Sequence, residues 1–295
     1  AAVVFNSFGI LTILHTLPAA YILAGFFVMG ISAYHLLKKQ HIDFFTRSFK
    51  IGLVFAFVFS IFIAVEGDKH AVEVTRMQPE KLAAMEAHWE TTTRAPIHLF
   101  AIPDPENERN AFQFGSIPGV LSFLGYHDFN AEVKGLKDFP KDERPPVLPV
   151  FLSFRLMVAL GMYFILMTAI GLLKRNRLLE SPGYLKLMLW SIPLPYLAIQ
   201  LGWIVTEIGR QPWIVYGLLR TSDALSKAVS AEEVLTSIIL FTIIYLFLFA
   251  IWLYIMNEKI KHGPEDEAAP ATATGGLLDT VGERAGAGGA STVNG

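Results

Sequence analysis

The sequence predicts an all-α integral membrane protein, a bundle of about five transmembrane helices with one long extracytoplasmic loop. Three observations predict it. Apolar residues make up 53% of the 295 positions and charged residues only 17%, and mean hydropathy is +0.46, well above that of an ordinary soluble domain. The apolar residues gather into runs at about 13–37, 48–66, 148–173, 184–206 and 234–256. Each approaches or exceeds the roughly 20 helical residues that a hydrocarbon core of about 30 Å requires. Between the second and third runs the composition turns polar.

The organisation follows in chain order as two spans within 1–66, an outer loop over 67–147, three spans within 148–262 and a tail over 263–295. The first link carries Lys38, Lys39, Arg47 and Lys50, the link between the third and fourth spans carries Lys174, Arg175, Arg177 and Lys186, and Lys259 and Lys261 follow the last span. By the positive-inside rule these are cytoplasmic, so the chain's carboxy end is cytoplasmic and the amino end of the first span lies outside. The remaining connection, about 207–233, holds Arg210, Arg220 and Lys227, so its asymmetry is modest. The loop over 67–147 ends in Arg144-Pro145-Pro146, which forces extended backbone before the third span. Within it, Leu82, Met85 and Trp89 form an apolar stripe on a helix predicted over Pro79 to Glu90, one that could rest on the membrane surface. Pro193 and Pro195 predict a kink or loosened turn in the fourth span. The Ala/Gly/Pro-rich tail has too few large apolar residues to order itself. The chain opens Ala1-Ala2-Val3-Val4 without a signal-peptide pattern, and is expected to start within a longer protein.

A net charge of −2 without a basic stripe excludes nucleic acid as a partner. The absence of cysteine excludes disulfides, thiolate metal sites and covalently attached c-type haem, leaving His, Met and carboxylates as the ligands of any redox centre. Polar groups at membrane depth are functional candidates. His15 stands at the outer start of the first span and Met157 near the outer start of the third. Each alone has an ordinary reading, as an interfacial or a packing side chain. Together they offer the imidazole and thioether of a low-spin haem at one depth. Arg155 lies beside Met157, where it suits a haem propionate, a buried charge or the interface. Glu207 closes the fourth span, with Trp203 one turn back on the same face and Arg210 as a potential ion-pair partner. By themselves Lys81 and Glu86 read as a solvated pair, and His70, His88, His98 and His127 show no metal-ligand spacing.

The string Gly209-Arg210-Gln211-Pro212-Trp213, following Trp203 and Glu207 and continuing Tyr216-Gly217-Leu218-Leu219-Arg220-Thr221, resembles the signature of subunit I of cytochrome bd quinol oxidases. Three further segments resemble that family in its own order: the His15-Thr16 span ending Gly30-Ile31-Ser32-Ala33, Lys81 to Thr91, and Ser153-Phe154-Arg155-Leu156-Met157. The resemblance covers about residues 1–260, with the outer loop in its short form.

The resemblance implies that His15 and Met157 ligate a low-spin haem b tuned by Arg155. It implies that Lys81 and Glu86 serve quinol, Glu86 as proton acceptor, and that Glu207 ligates one of two dioxygen-site haems, a high-spin haem b and haem d. Trp203 and Arg210 match residues around those haems. It implies subunit II, membrane quinol and dioxygen as partners, and the cytoplasmic membrane of a bacterium or archaeon as the location. The family's first four of nine spans have no counterpart here, so this chain alone is expected not to reduce oxygen. The rival expectation is a transporter or channel with an intramembrane site at Glu207 beside the Pro-interrupted span.

Overall fold

The computed structural model describes residues 6–226 and 228–264, so the tail expected over 263–295 lies almost wholly outside the described residues, as does Lys227. The chain divides into two units, residues 1–230 and 231–295. Five helical stretches are long and apolar enough to cross a membrane: Ser7–Leu37, Ile42–Met77, Val147–Lys174, Pro182–Ile208 and Ala231–His262.

The first unit begins with α1 (Ser7–Leu37), whose Asn6 cap accepts from the Gly9 amide at 2.7 Å. Its antiparallel partner α2 (Ile42–Met77) continues past residue 66, where the apolar run ends, because nothing in Gly67 to Met77 breaks a helix. The two pack through small residues. A Cβ placed on Gly25 would fall 2.8 Å from the Ala56 Cβ and 3.0 Å from the Gly52 carbonyl oxygen, so the backbones meet there as small residues permit in membrane helices.

α3 (Pro79–Glu86) departs from expectation in two ways. It ends at Glu86, with Ala87 in the left-handed region at φ 48°, so Trp89 leaves the helical stripe and donates from Nε1 to Asn110 Oδ1 at 2.9 Å. It is also buried from Glu80 through Glu86, between α2 and the third span, instead of lying on a membrane surface.

The outer loop adds short strands to the helical fold. β1 (Thr92–Thr93) pairs antiparallel with β4 (Glu132–Val133), and β2 (Ile97–Asp104) with β3 (Arg109–Ile117) in a hairpin. Phe100 stands opposite Phe114 and Ile102 opposite Phe112, aromatic and β-branched pairs that favour a ladder. Asp104 closes the turn by accepting from the Asn107 side chain at 2.8 Å. The short α4 (Val120–Tyr126) lies between β3 and β4 and packs against α2.

α5 (Val147–Lys174) is the third span. The fourth is split into α6 (Pro182–Trp190) and α7 (Pro193–Ile208) at Ser191 and Ile192, because Pro193 and Pro195 bring no amide donors to continue the ladder. Tyr163 and Ser191 share a hydrogen bond of 2.6 Å at the break, and Tyr184 donates to the Met167 carbonyl at 2.9 Å over Gly171. After α7 come β5 (Trp213–Val215) and β6 (Leu219–Arg220), a short antiparallel pair. The second unit holds α8 (Ala231–His262), with Glu232 and Glu233 in its first turn, a predominantly apolar run from Ile238 to Met256, and Lys259 and Lys261 near its end.

Two apolar cores stabilise the first unit. One joins α1, α2, α5 and α6 through Phe26, Met29, Phe49, Leu53, Phe164 and Met188. The other gathers Val74, Leu82, Met85, Trp89, Val150, Phe151 and Val205, with Phe8 and Ile208 against it. This second core brings the start of α1 and of α5 together with the ends of α2 and α7, and it positions the candidate site.

Candidate haem and quinol site

Three polar groups of residues stand at that end. In the first, His15 of α1 faces Glu66 of α2, Nδ1 to Oε2 at 2.6 Å. Glu66 is buried, and its other oxygen, Oε1, lies 3.7 Å from His70 Nδ1 and has no hydrogen-bond partner. The His15 ring sits beside Gly67, its Cε1 3.7 Å from where a Cβ would stand. Glu66 and His70 are one turn apart on one helical face, a spacing visible in the sequence. Their meeting with His15 depends on the packing of α1 on α2, which is why sequence reasoning missed both.

In the second group, Arg155 of α5 forms an ion pair through Nη2 with Glu86 of α3. Arg155 also lies over the Phe151 ring, 5.2 Å from its centroid, and its Nε is buried without a partner. Burial raises the Glu86 carboxyl to about 7, against the opposing pull of the Arg155 charge and hydrogen bond. Met157 follows on the same helix, and its Sδ lies 3.2 Å from where a Cβ on Gly202 of α7 would stand. A larger residue at 202 would push on the thioether.

The third group corrects the reading of Lys81 and Glu86 as solvated. The two are five residues apart, which turns them by about 140° around α3, and both are buried, so they are not a solvated pair. Lys81 lies against Gly209, its Cε 3.0 Å from a Cβ position there. Burial lowers its ammonium to about 8, opposed by the charge of Glu207 and reinforced by that of Arg210. Glu207 accepts from Arg210 Nη2 and Nε, each at 2.8 Å, and about half of its side chain is exposed. Trp203 is similarly half-exposed. Glu207 is thus a helix-end carboxylate with a cationic partner. The segment beyond is tied down by Tyr216, which donates to Glu80 Oε2 at 2.8 Å, and by Arg220, paired with Asp142 at 2.8 Å and placed over the Trp213 ring.

These residues fit a haem. The donor set suits one: an imidazole on α1, a thioether on α5 and, at Arg155 Nε, a buried donor in want of an acceptor. Of the remaining histidines, His88 meets the Val133 carbonyl at 3.3 Å, His98 the Ser116 hydroxyl at 2.7 Å, and His127 pairs with Asp68 at 3.0 Å.

Comparison with known proteins identifies the family. Residues 1–264 match the family model described as cytochrome bd terminal oxidase subunit I. The chain is 37% identical over 265 residues to the cytochrome bd ubiquinol oxidase subunit 1 of Bacillus subtilis (strain 168), covering 86% of this chain and 56% of that protein. It is 32% identical over 329 residues to the cytochrome bd-II ubiquinol oxidase subunit 1 of Escherichia coli (strain K12), covering 88% and 64%. The bd oxidase structure from Geobacillus thermodenitrificans superposes with a TM-score of 0.80 at 31% identity, over 89% of this chain and 60% of that one. The chain thus spans between about half and two thirds of the length of these relatives.

Proposed function

The chain belongs to the cytochrome bd terminal oxidase subunit I family, and on that premise we propose that it supplies the quinol-oxidising end of a terminal oxidase that reduces dioxygen to water. The observation that carries this reading is the buried Glu86–Arg155 pair, which ties a candidate proton acceptor to α5, the helix that also carries Met157. Haem, when bound, supplies the one-electron carriers between quinol and an iron centre for dioxygen.

His15 and Met157 would hold a low-spin haem b, with the unpartnered Nε of Arg155 as a donor for a propionate. Glu86 takes a hydroxyl proton from quinol at a carboxylate whose affinity for protons burial has raised toward neutrality. Glu207 would ligate one of the two haems of the dioxygen site, a high-spin haem b and a haem d in this reading, with Arg210 holding the carboxylate and Trp203 one turn back on α7. Lys81, buried on the same helix and lying against Gly209, serves the quinol site with Glu86. The partners are subunit II, the amino-terminal spans of subunit I, membrane quinol and dioxygen. The chain resides in the cytoplasmic membrane of a bacterium or archaeon, with its carboxy end inside. Quinol protons leave to the outside while protons for water come from the cytoplasm, which separates charge across the membrane.

Met157→Leu in the assembled oxidase tests the reading, since the swap nearly conserves volume and removes the sulfur. The low-spin haem is expected to fall in potential or turn high-spin. An unchanged reduced-minus-oxidised spectrum and potential removes Met157 from the site.

A further inference from the structure

The shortest hydrogen bond to either candidate low-spin ligand comes from a residue with no part in the reading above. Glu66 Oε2 lies 2.6 Å from His15 Nδ1, on a side chain only 5% exposed. We propose that Glu66 is a positioning residue of the low-spin haem: it accepts the Nδ1 proton of His15, fixes the tautomer that presents Nε2 to the iron, and places a negative charge one ring away from it. The inference rests on His15 being the haem ligand.

Three features of the site support this. A metal-ligating histidine commonly gives its second ring N–H to a carboxylate, which sets the ring's orientation and raises its basicity. Here the ring also lies against Gly67 of α2 and edge-on to the His70 ring, with 5.7 Å between centroids, so the packing of α1 on α2 brings it to Glu66. The Glu66 charge, furthermore, is not shared with a fixed cation. Among the described residues its only other ion-pair neighbour is His70, 3.7 Å from Oε1, and that oxygen has no hydrogen bond. A partly exposed imidazole, His15 at 32%, is therefore the group on which this carboxylate acts.

His15, Glu66 and His70 also present ligand atoms within 4.8 Å of one another, a spacing that could hold a cation. The 2.6 Å separation of Nδ1 and Oε2 argues for a shared proton. Two ligands placed tetrahedrally on one metal at about 2.0–2.1 Å would stand about 3.3 Å apart.

The test is the midpoint potential and difference spectrum of the low-spin haem in the assembled oxidase carrying Glu66→Gln. Loss of the negative charge is expected to favour the ferrous form on the order of tenfold, which is about 59 mV for a one-electron couple. Glu73→Gln is the control, since Glu73 is on the same helix but pairs with Ser7 at 2.6 Å instead of His15; its potential is expected to match the wild type. A wild-type potential in Glu66→Gln, or an equal shift in both variants, overturns the proposal. If Glu66→Gln does not accumulate, Glu66→Asp, which keeps the charge, is expected to accumulate with a near-wild-type potential. Failure of both assigns Glu66 to folding alone and likewise overturns the proposal. His15→Ala separates the two readings. A low-spin haem surviving in it removes His15 itself, whereas its loss there, beside an unshifted Glu66→Gln, removes only Glu66.

Discussion

Tyr216 donates its phenol proton to Glu80 across 2.8 Å, joining the segment after α7 to the first turn of α3. Burial raises the Glu80 carboxyl, and the Tyr216 bond opposes that rise. Tyr216→Phe removes the opposing bond, so Glu80 is expected to rise further and the complex to lose about 1–3 kcal/mol, the cost of an unsatisfied buried acceptor. Thermal unfolding of the assembled oxidase checks the loss. An unchanged transition would show that the two segments are held by packing alone.

Glu86 gives a pH prediction with a definite sign. Its carboxyl is raised to about 7, so it is mostly protonated below that pH and able to accept a proton above it. Quinol oxidation at saturating substrate is expected to increase as pH rises through about 7. Glu86→Gln should slow turnover at least tenfold and flatten the profile, with haem spectra intact. The raised pKa also makes the Glu86 contribution to stability greatest below its ordinary range, and that contribution fades as pH rises through 7. A variant with the wild-type profile would take Glu86 out of proton transfer.

Glu207 separates a ligand from a structural ion pair. Its pairing with Arg210 is well formed but half-exposed, a setting in which an ion pair contributes about 0–1 kcal/mol. Glu207→Ala should therefore barely change stability, yet remove one dioxygen-site haem and abolish oxygen reduction, leaving the His15 and Met157 haem in place. A difference spectrum with every haem band present would leave Glu207 as the end of a helix and nothing more.

Close packing of α1 on α2 gives a fourth expectation. Gly25→Val adds bulk where a single Cβ already stands 2.8 Å from the Ala56 Cβ. It should cost about 1–3 kcal/mol by overpacking, seen as a lower melting temperature. Gly161→Val is the contrast, since a Cβ at Gly161 meets nothing within 4 Å; equal losses in both would make helix propensity the cause.

The spans and the break in the fourth were legible because chain length and proline act locally. Met157, Arg155, Glu207 and Arg210 were legible as candidates from membrane depth and short helical spacing. What the sequence hid was tertiary. The burial of α3 cannot be read from an eight-residue segment with as many charges as Pro79–Glu86. The partner of Arg155 is 69 residues away in the chain, and the partner of His15 is 51 away. The hairpin was missed because Phe112 and Phe114 sit among polar residues and remain exposed, so no buried alternation marked the strands.

The orientation of α3 also determines where this chain can tolerate a change of length. Lys81 and Glu86 are carried on one stiff rod, each engaged with a different neighbour. One residue inserted between them would turn one against the other by about 100° and part them by a further 1.5 Å or so, disengaging at least one. The tip of the β2–β3 hairpin, by contrast, is a solvent-facing turn around Glu106 and Asn107 whose lengthening would leave both engagements untouched. Additions and deletions compatible with activity should therefore accumulate at the hairpin tip, while the spacing from Lys81 to Glu86 stays constant.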